Sequence, residues 1–184
     1  MSTVGQPFLS QEDASVTATI REARLDDWPA IHPIFDAVVR AGDTYAYPEG
    51  LAPDEARALW FGQGRVVVAE LDGVVLGTAT MGSNRPGRGA HIATASFMVG
   101  SAARGRGVGR SLGEHVVAWS REQGFRGIQF NAVVETNHVA VALWRSLGFV
   151  VVGTVPGAFA HSEHGYVGLH VMFLDLTTST RHAA

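Results

Sequence analysis

Three observations make this 184-residue chain an α/β layer fold. Strand-type and helix-type apolar patterns alternate along most of its length, as they do where a sheet is covered by helices. The pair Asp72-Gly73 lies between two apolar runs and marks a tight hairpin. Two apolar stripes at helical spacing each stop at a glycine, Gly124 and Gly148.

The elements follow in order. Residues 16–22 alternate and read as a first strand. Asp26-Asp27 then cap a helix carrying Trp28, Ile31, Ile34, Phe35 and Val38, with Pro29 in its first turn. Residues 42–48 (GDTYAYP) form a loop and residues 53–61 a short helix. Strands at 65–71 and 74–81 flank the hairpin turn. A loop rich in Gly, Arg and Pro (82–89) leads to a strand at 92–99. A helix with Val108, Leu112, Val116 and Trp119 on one face follows, then a strand at 127–134. Asn137 caps a further helix bearing Ala140, Leu143, Trp144 and Leu147. Strands at 149–155 and 168–176 close the chain, parted by a loop rich in aromatic and histidine residues. One domain spans 16–176, between loose polar tails at 1–15 and 177–184.

Composition excludes several chemistries. The 19.5 kDa chain has no cysteine, so disulfides, thiolate metal sites and cysteine nucleophiles are ruled out. All fourteen basic residues are arginine, which removes lysine Schiff bases and Walker-type phosphate loops. No run approaches the ~18 apolar residues of a membrane span, and the start lacks a basic, apolar leader pattern; a cytoplasmic protein is expected. The net charge of -3 hides an asymmetry. From Gly73 to Gly113 there is no acid, while Arg85, Arg88, Arg104, Arg106 and Arg110 give that stretch +5, against -8 elsewhere. A local anion site or a solvated basic loop both fit.

The most informative unit is the strand 92–99 followed by Arg104-Gly105-Arg106-Gly107-Val108-Gly109 and a helix. Helix N-termini leave amides unpaired and carry partial positive charge, so they hold phosphates. Glycines let backbone approach an anion closely. The dinucleotide fingerprint GxGxxG fails, because its sixth position is Arg110. RGRGVG does fit Arg/Gln-x-x-Gly-x-Gly/Ala, and in this it resembles the acetyl-coenzyme A signature of the GNAT superfamily of N-acetyltransferases. A second stretch, Asn137 to Phe149, resembles that family's pattern Asn-x-x-Ala-x-x-Leu-Tyr-x-x-x-Gly-Phe.

The resemblance implies a mixed, mostly antiparallel central sheet with splayed fourth and fifth strands and helices on both faces. It implies acetyl-CoA as cosubstrate. Pantetheine would bond the backbone of Phe97, Met98 and Val99, and amides from Arg104 to Gly109 would hold the pyrophosphate. Arg110, Ser111, Asn137, Ala140 and Trp144 complete the expected coenzyme site, and Arg85 and Arg88 reach either a further phosphate or solvent. A neutral amine would attack the thioester directly, with a backbone N–H at Met98 or Val99 holding the oxyanion. The family's usual acid is a tyrosine where this chain has Trp144, whose indole cannot supply a proton. Asn131 or Asn137 is the expected hydrogen-bond donor to the departing thiolate.

For the acceptor, Tyr45 and Tyr47 either line a pocket or pin their loop. Thr94, Ser96 and Asn131 are further candidates, with Phe159, His161 and Tyr166 in a loop that can close over the amine. Bases on offer are His161, Glu163, His164, Glu135 and His138. These segments resemble members that acetylate small amino acids, including toxic proline analogues, although Thr94 and Gly168 stand where those relatives often carry asparagine and aspartate. A small-molecule N-acetyltransferase is therefore expected, with a peptide N-acetyltransferase or a non-transferring coenzyme A-binding protein as alternatives. The resemblance suggests a homodimer. No metal is expected, since His161, His164 and His170 lack a supporting acidic or cysteine set. No nucleic acid is expected either, because the chain is acidic and no aromatics interleave its arginines.

Overall fold

The computed structural model describes residues 18–178. The expected tails therefore lie largely outside the described residues, as do Val16 and Thr17 of the expected first strand. The elements are β1 (Thr19–Glu22), α1 (Trp28–Ala41), α2 (Pro53–Phe61), β2 (Arg65–Leu71), β3 (Val74–Ser83), β4 (Ile92–Val99), α3 (Val108–Glu122), β5 (Gly127–Val134), α4 (His138–Ser146), β6 (Val150–His161) and β7 (Gly165–Asp175).

The strands form one sheet in the order β1-β2-β3-β4-β5-β7-β6. Only β4 and β5 run parallel; every other neighbouring pair is antiparallel. The hairpin between β2 and β3 turns on Asp72 and Gly73, both at positive φ (50° and 77°), which matches the twist of the flanking strands.

Both faces of the sheet are covered. In β2 the run Val66-Val67-Val68-Ala69 is buried throughout, because alternate side chains enter opposite layers. Val66 and Val68 meet Trp28, Ile31 and Phe35 of α1 and Trp60 of α2. Val67 and Ala69 join Leu112 and Val116 of α3 and Trp144 of α4. The buried hydroxyl of Thr78 accepts from Trp60 Nε1 (3.2 Å) and donates to the Val67 carbonyl (2.8 Å), so the polar tip of that tryptophan is satisfied.

Two local expectations change. Asp27 precedes α1, yet its carboxylate makes no cap bond to the helix. It accepts from Arg21 (2.8 Å twice) and from the Arg24 amide (2.7 Å). The expected loop between the last two strands is mostly strand. Phe159 pairs with Val167 and His161 with Gly165, leaving a turn at 162–164, and register shifts absorb the Pro156-Gly157 stretch.

Candidate active site

β4 and β5 pair only at Ile92↔Gly127 and Ala93↔Ile128. Beyond Phe130 the register of β5 shifts, and it continues with β7 alone. Between the two strands lies a cleft of about 970 Å³.

The direction of the hydrogen bonds along β4 decides which groups face this cleft. Gly100 N–H donates to the Leu76 carbonyl (2.9 Å) and Ile92 C=O accepts from Asn84 N–H (2.8 Å), so even-numbered residues bond towards β3. His91 C=O accepts from Arg126 N–H (2.9 Å) on the β5 side. Peptide groups alternate along a strand, so Ala95, Phe97 and Val99 present theirs to the cleft. Met98 does not. The expected oxyanion amide at Met98 is turned into the ladder with β3, where its residue pairs with Thr78, and its side chain is buried against α1 and α2.

At the end of β4 the chain turns into α3. The amides of Arg104 and Arg106 close turns on Ser101 and Ala103 (both 3.2 Å). Those of Gly105, Gly107, Val108, Gly109 and Arg110 donate to no group among the described residues. Ser111 N–H makes the first helical bond, to Gly107 C=O (3.0 Å), and its hydroxyl also meets that carbonyl (3.3 Å). Gly105 and Gly107 sit at φ 76° and 77° with nothing within 4 Å of an added Cβ, so the loop stays open in front of the amides. Five free amides at a helix N-terminus fit a pyrophosphate. Among the arginines, Arg104 and Arg110 both line the cleft, and the Arg110 side chain is held by Ser146 Oγ (2.8 Å) and Glu114 (3.5 Å). Arg85 and Arg88 lie at the opposite end of β4, about 25 Å away along an eight-residue strand, and reach no phosphate held here.

α4 forms the other wall. Asn137 Oδ1 accepts from Ala140 N–H (3.0 Å) as the helix cap, which leaves Nδ2 for the cleft. Of the two expected roles the structure shows the helix cap, and the cap leaves the amide end of the side chain uncommitted. Trp144 is buried against Phe97 (ring centroids 4.6 Å) and Phe130 (4.9 Å), and Ala140 lines the same wall.

Towards the acceptor end the two tyrosines divide the alternatives. Tyr45 lines the cleft. Tyr47 stacks between Tyr45 and Phe35 (5.2 and 5.8 Å) and accepts from Gln63 (2.8 Å), so it pins the loop. Thr94, Ser96 and Asn131 also line the cleft. The Asn131 amide accepts from Gln129 (2.8 Å) and donates to Asn84 (2.7 Å), which leaves one of its two N–H groups uncommitted.

The turn after β6 docks on the end of α1: Ser162 N–H donates to Gly42 C=O and Ser162 Oγ to Ala41 C=O, both at 2.9 Å. This brings His161 to the cleft. Its Nδ1 accepts from the amides of Glu163 (3.0 Å) and His164 (3.3 Å), so the neutral ring carries its proton on Nε2 and is a donor there. Phe159 is buried with Val134 and Val167, and Tyr166 points to solvent; neither lines the cleft. Glu135 is held by the Gly168 amide, and His170 by the Thr154 hydroxyl (2.8 Å). Sequence reasoning overlooked Asp43, the one carboxylate lining the cleft among the described residues. Its place in GDTYAYP was the available signal, but the docking of a turn some 120 residues later was not.

Comparison with known proteins agrees with this geometry. The GCN5-related N-acetyltransferase of Kribbella flavida is 58% identical with a TM-score of 0.84, covering 87% of this chain and 98% of its own. The acetyltransferase yncA of Salmonella typhimurium, solved with its cofactor acetyl-CoA, is 29% identical with a TM-score of 0.73, covering 91% of this chain and 96% of its own. N-acetyltransferase aca1 of Schizosaccharomyces pombe is 33% identical over 98 residues, 53% of this chain; the match spans about half of that protein (47%). The model of the acetyltransferase (GNAT) family matches residues 19–149, from β1 to the residues after α4. Every element that walls the coenzyme end of the cleft falls inside that match, and the chain belongs to the GNAT family of acetyltransferases.

Proposed function

We infer that the chain transfers the acetyl group of acetyl-CoA to the amine of a small molecule, an amino acid or an analogue of one. The observation that carries this reading is the row of free amides at 105 and 107–110, at the mouth of a cleft that runs past the open edge of β4 to Asp43, Tyr45 and His161. Bound acetyl-CoA supplies a thioester carbonyl for amine attack. The α3 amides and Arg104 take the pyrophosphate charge, Asn137 Nδ2 meets the pantetheine arm, and the outward peptide group of Val99 aligns it.

Amines near pKa ~10 arrive protonated at neutral pH. Asp43 pairs with that ammonium and orients it, its proton leaving through water, while His161 Nε2 offers a hydrogen-bond donor beside it. His161 does not act as the base, because its free lone pair is committed to the turn amides. The bonds from Ser162 to Ala41 and Gly42 hold the turn beside this end, which supports a small acceptor over a long peptide.

Thiol release from acetyl-CoA across amino acids, simple amines and peptides tests the reading. Turnover is expected for amino acids, with Asp43→Asn raising the KM for the amine tenfold or more and leaving that for acetyl-CoA unchanged. Turnover on peptides alone would refute the small-molecule assignment, and coenzyme binding without turnover on any acceptor would refute transfer.

A further inference from the structure

Of the three β4 residues that turn their peptide groups to the cleft, the middle one is already partnered. Phe97 N–H donates to the Tyr45 hydroxyl (2.7 Å), and the same hydroxyl donates to Phe97 C=O (2.8 Å). A hydroxyl that accepts one hydrogen bond becomes a stronger donor through its own proton. The phenol oxygen is fixed, since the ring stacks on Tyr47 and Tyr47 on Phe35 of α1. Only the O–H torsion remains free. Burial, with Tyr47 alongside, raises the proton affinity of Tyr45, so the group stays a neutral donor. On the other side of Phe97 stands Trp144, which brings no hydroxyl to the cleft.

We propose that Tyr45 is a catalytic residue of the acetyl transfer: its hydroxyl, backed by Phe97 N–H, turns its proton from the Phe97 carbonyl to the thioester carbonyl oxygen and holds the negative charge that forms there. The inference rests on the reading of the cleft as an acetyl-CoA site. In the step it serves, the amine nitrogen bonds to the carbonyl carbon and the C=O π pair moves onto oxygen, where Tyr45 donates. When that pair returns, the C–S bond breaks and sulfur leaves with its electrons. It takes up the proton shed by the amine, so Tyr45 begins and ends as a neutral phenol. The strand amide, which would otherwise meet the oxygen itself, acts one atom behind.

Tyr45→Phe keeps the stack on Tyr47 and removes only the hydroxyl. Turnover is expected to fall on the order of a hundredfold, with the KM for acetyl-CoA within twofold of wild type. A binding measurement reads the same contact without an acceptor. The ketone analogue of acetyl-CoA, with CH2 in place of sulfur, keeps the carbonyl; S-ethyl-CoA lacks it. Wild type should bind the ketone more tightly than the ethyl compound, and Tyr45→Phe should bind both equally. Turnover within twofold of wild type, or a preference that survives the substitution, overturns the role of Tyr45 while leaving the coenzyme site standing. A wild type that binds neither analogue overturns both readings.

Discussion

Gly113 of α3 and Trp144 of α4 share one space: a Cβ added at Gly113 would lie 2.9 Å from Trp144 Cζ3 and 2.8 Å from Leu147 Cδ1. The broad indole is admitted because the facing helix offers no side chain. Cores packed to crystal-like density have no slack for the extra atom. Gly113→Ala should therefore cost about 1–3 kcal/mol, read as a lower melting temperature. Combining it with Trp144→Tyr should cost less than the sum of the two single changes. Strict additivity would show that the two sites do not compete for the same volume.

Gly107→Glu should reduce coenzyme A affinity more than a hundredfold, because a carboxylate would stand before the free α3 amides. Gly107→Ala meets no atom within 4 Å and should cost only the ~1 kcal/mol of holding a side chain at positive φ. Isothermal titration with coenzyme A distinguishes them. Equal affinities in all three proteins would place the pyrophosphate elsewhere.

Ser162→Ala removes the hydroxyl bond to Ala41 but keeps the amide bond to Gly42. The turn bearing His161 then loosens over the acceptor end. KM for the amine should rise a few-fold while coenzyme affinity is unchanged. A matching loss of coenzyme affinity would mean that the turn steadies the whole cleft.

Arg21 lies between Asp27 and Glu70, and its hydrogen bonds lower Asp27 from 3.8 to about 2. A depressed carboxylate contributes stability that is fully present above its ordinary range and fades as pH falls through the folded value. The melting-temperature gap between wild type and Asp27→Asn should therefore be constant above pH 5 and shrink towards pH 2. A gap that widens on acidification would contradict the pairing.

Much of the sheet was legible because its strands are punctuated. The bounds expected for β2, β4, β5 and α2 match those observed, each set off by glycine, proline or Asp-Gly. The hairpin of β6 and β7 was not, since Pro156, Gly157 and the histidines interrupt the alternation while cross-strand pairing overrides them. That override put Phe159 in a small core of its own. The amide-lined half of the cleft was legible because one continuous stretch, 97–110, builds most of it. The acceptor half draws on 43–45, 94–97, 131 and 161, and no local pattern joins these. Nor does sequence tell which edge of a strand an amide faces, and so Met98 stood in the place of its odd-numbered neighbours.

That alternation along β4 makes its length a functional constraint. One added residue between Ala93 and Phe97 would exchange the two edges from that point on. Groups now spent on the sheet would face the cleft, and those that now face the cleft would be locked into the sheet. Every side chain would remain present, yet the strand would be wired backwards. Chains of this fold should therefore tolerate replacement in β4 far better than insertion or deletion.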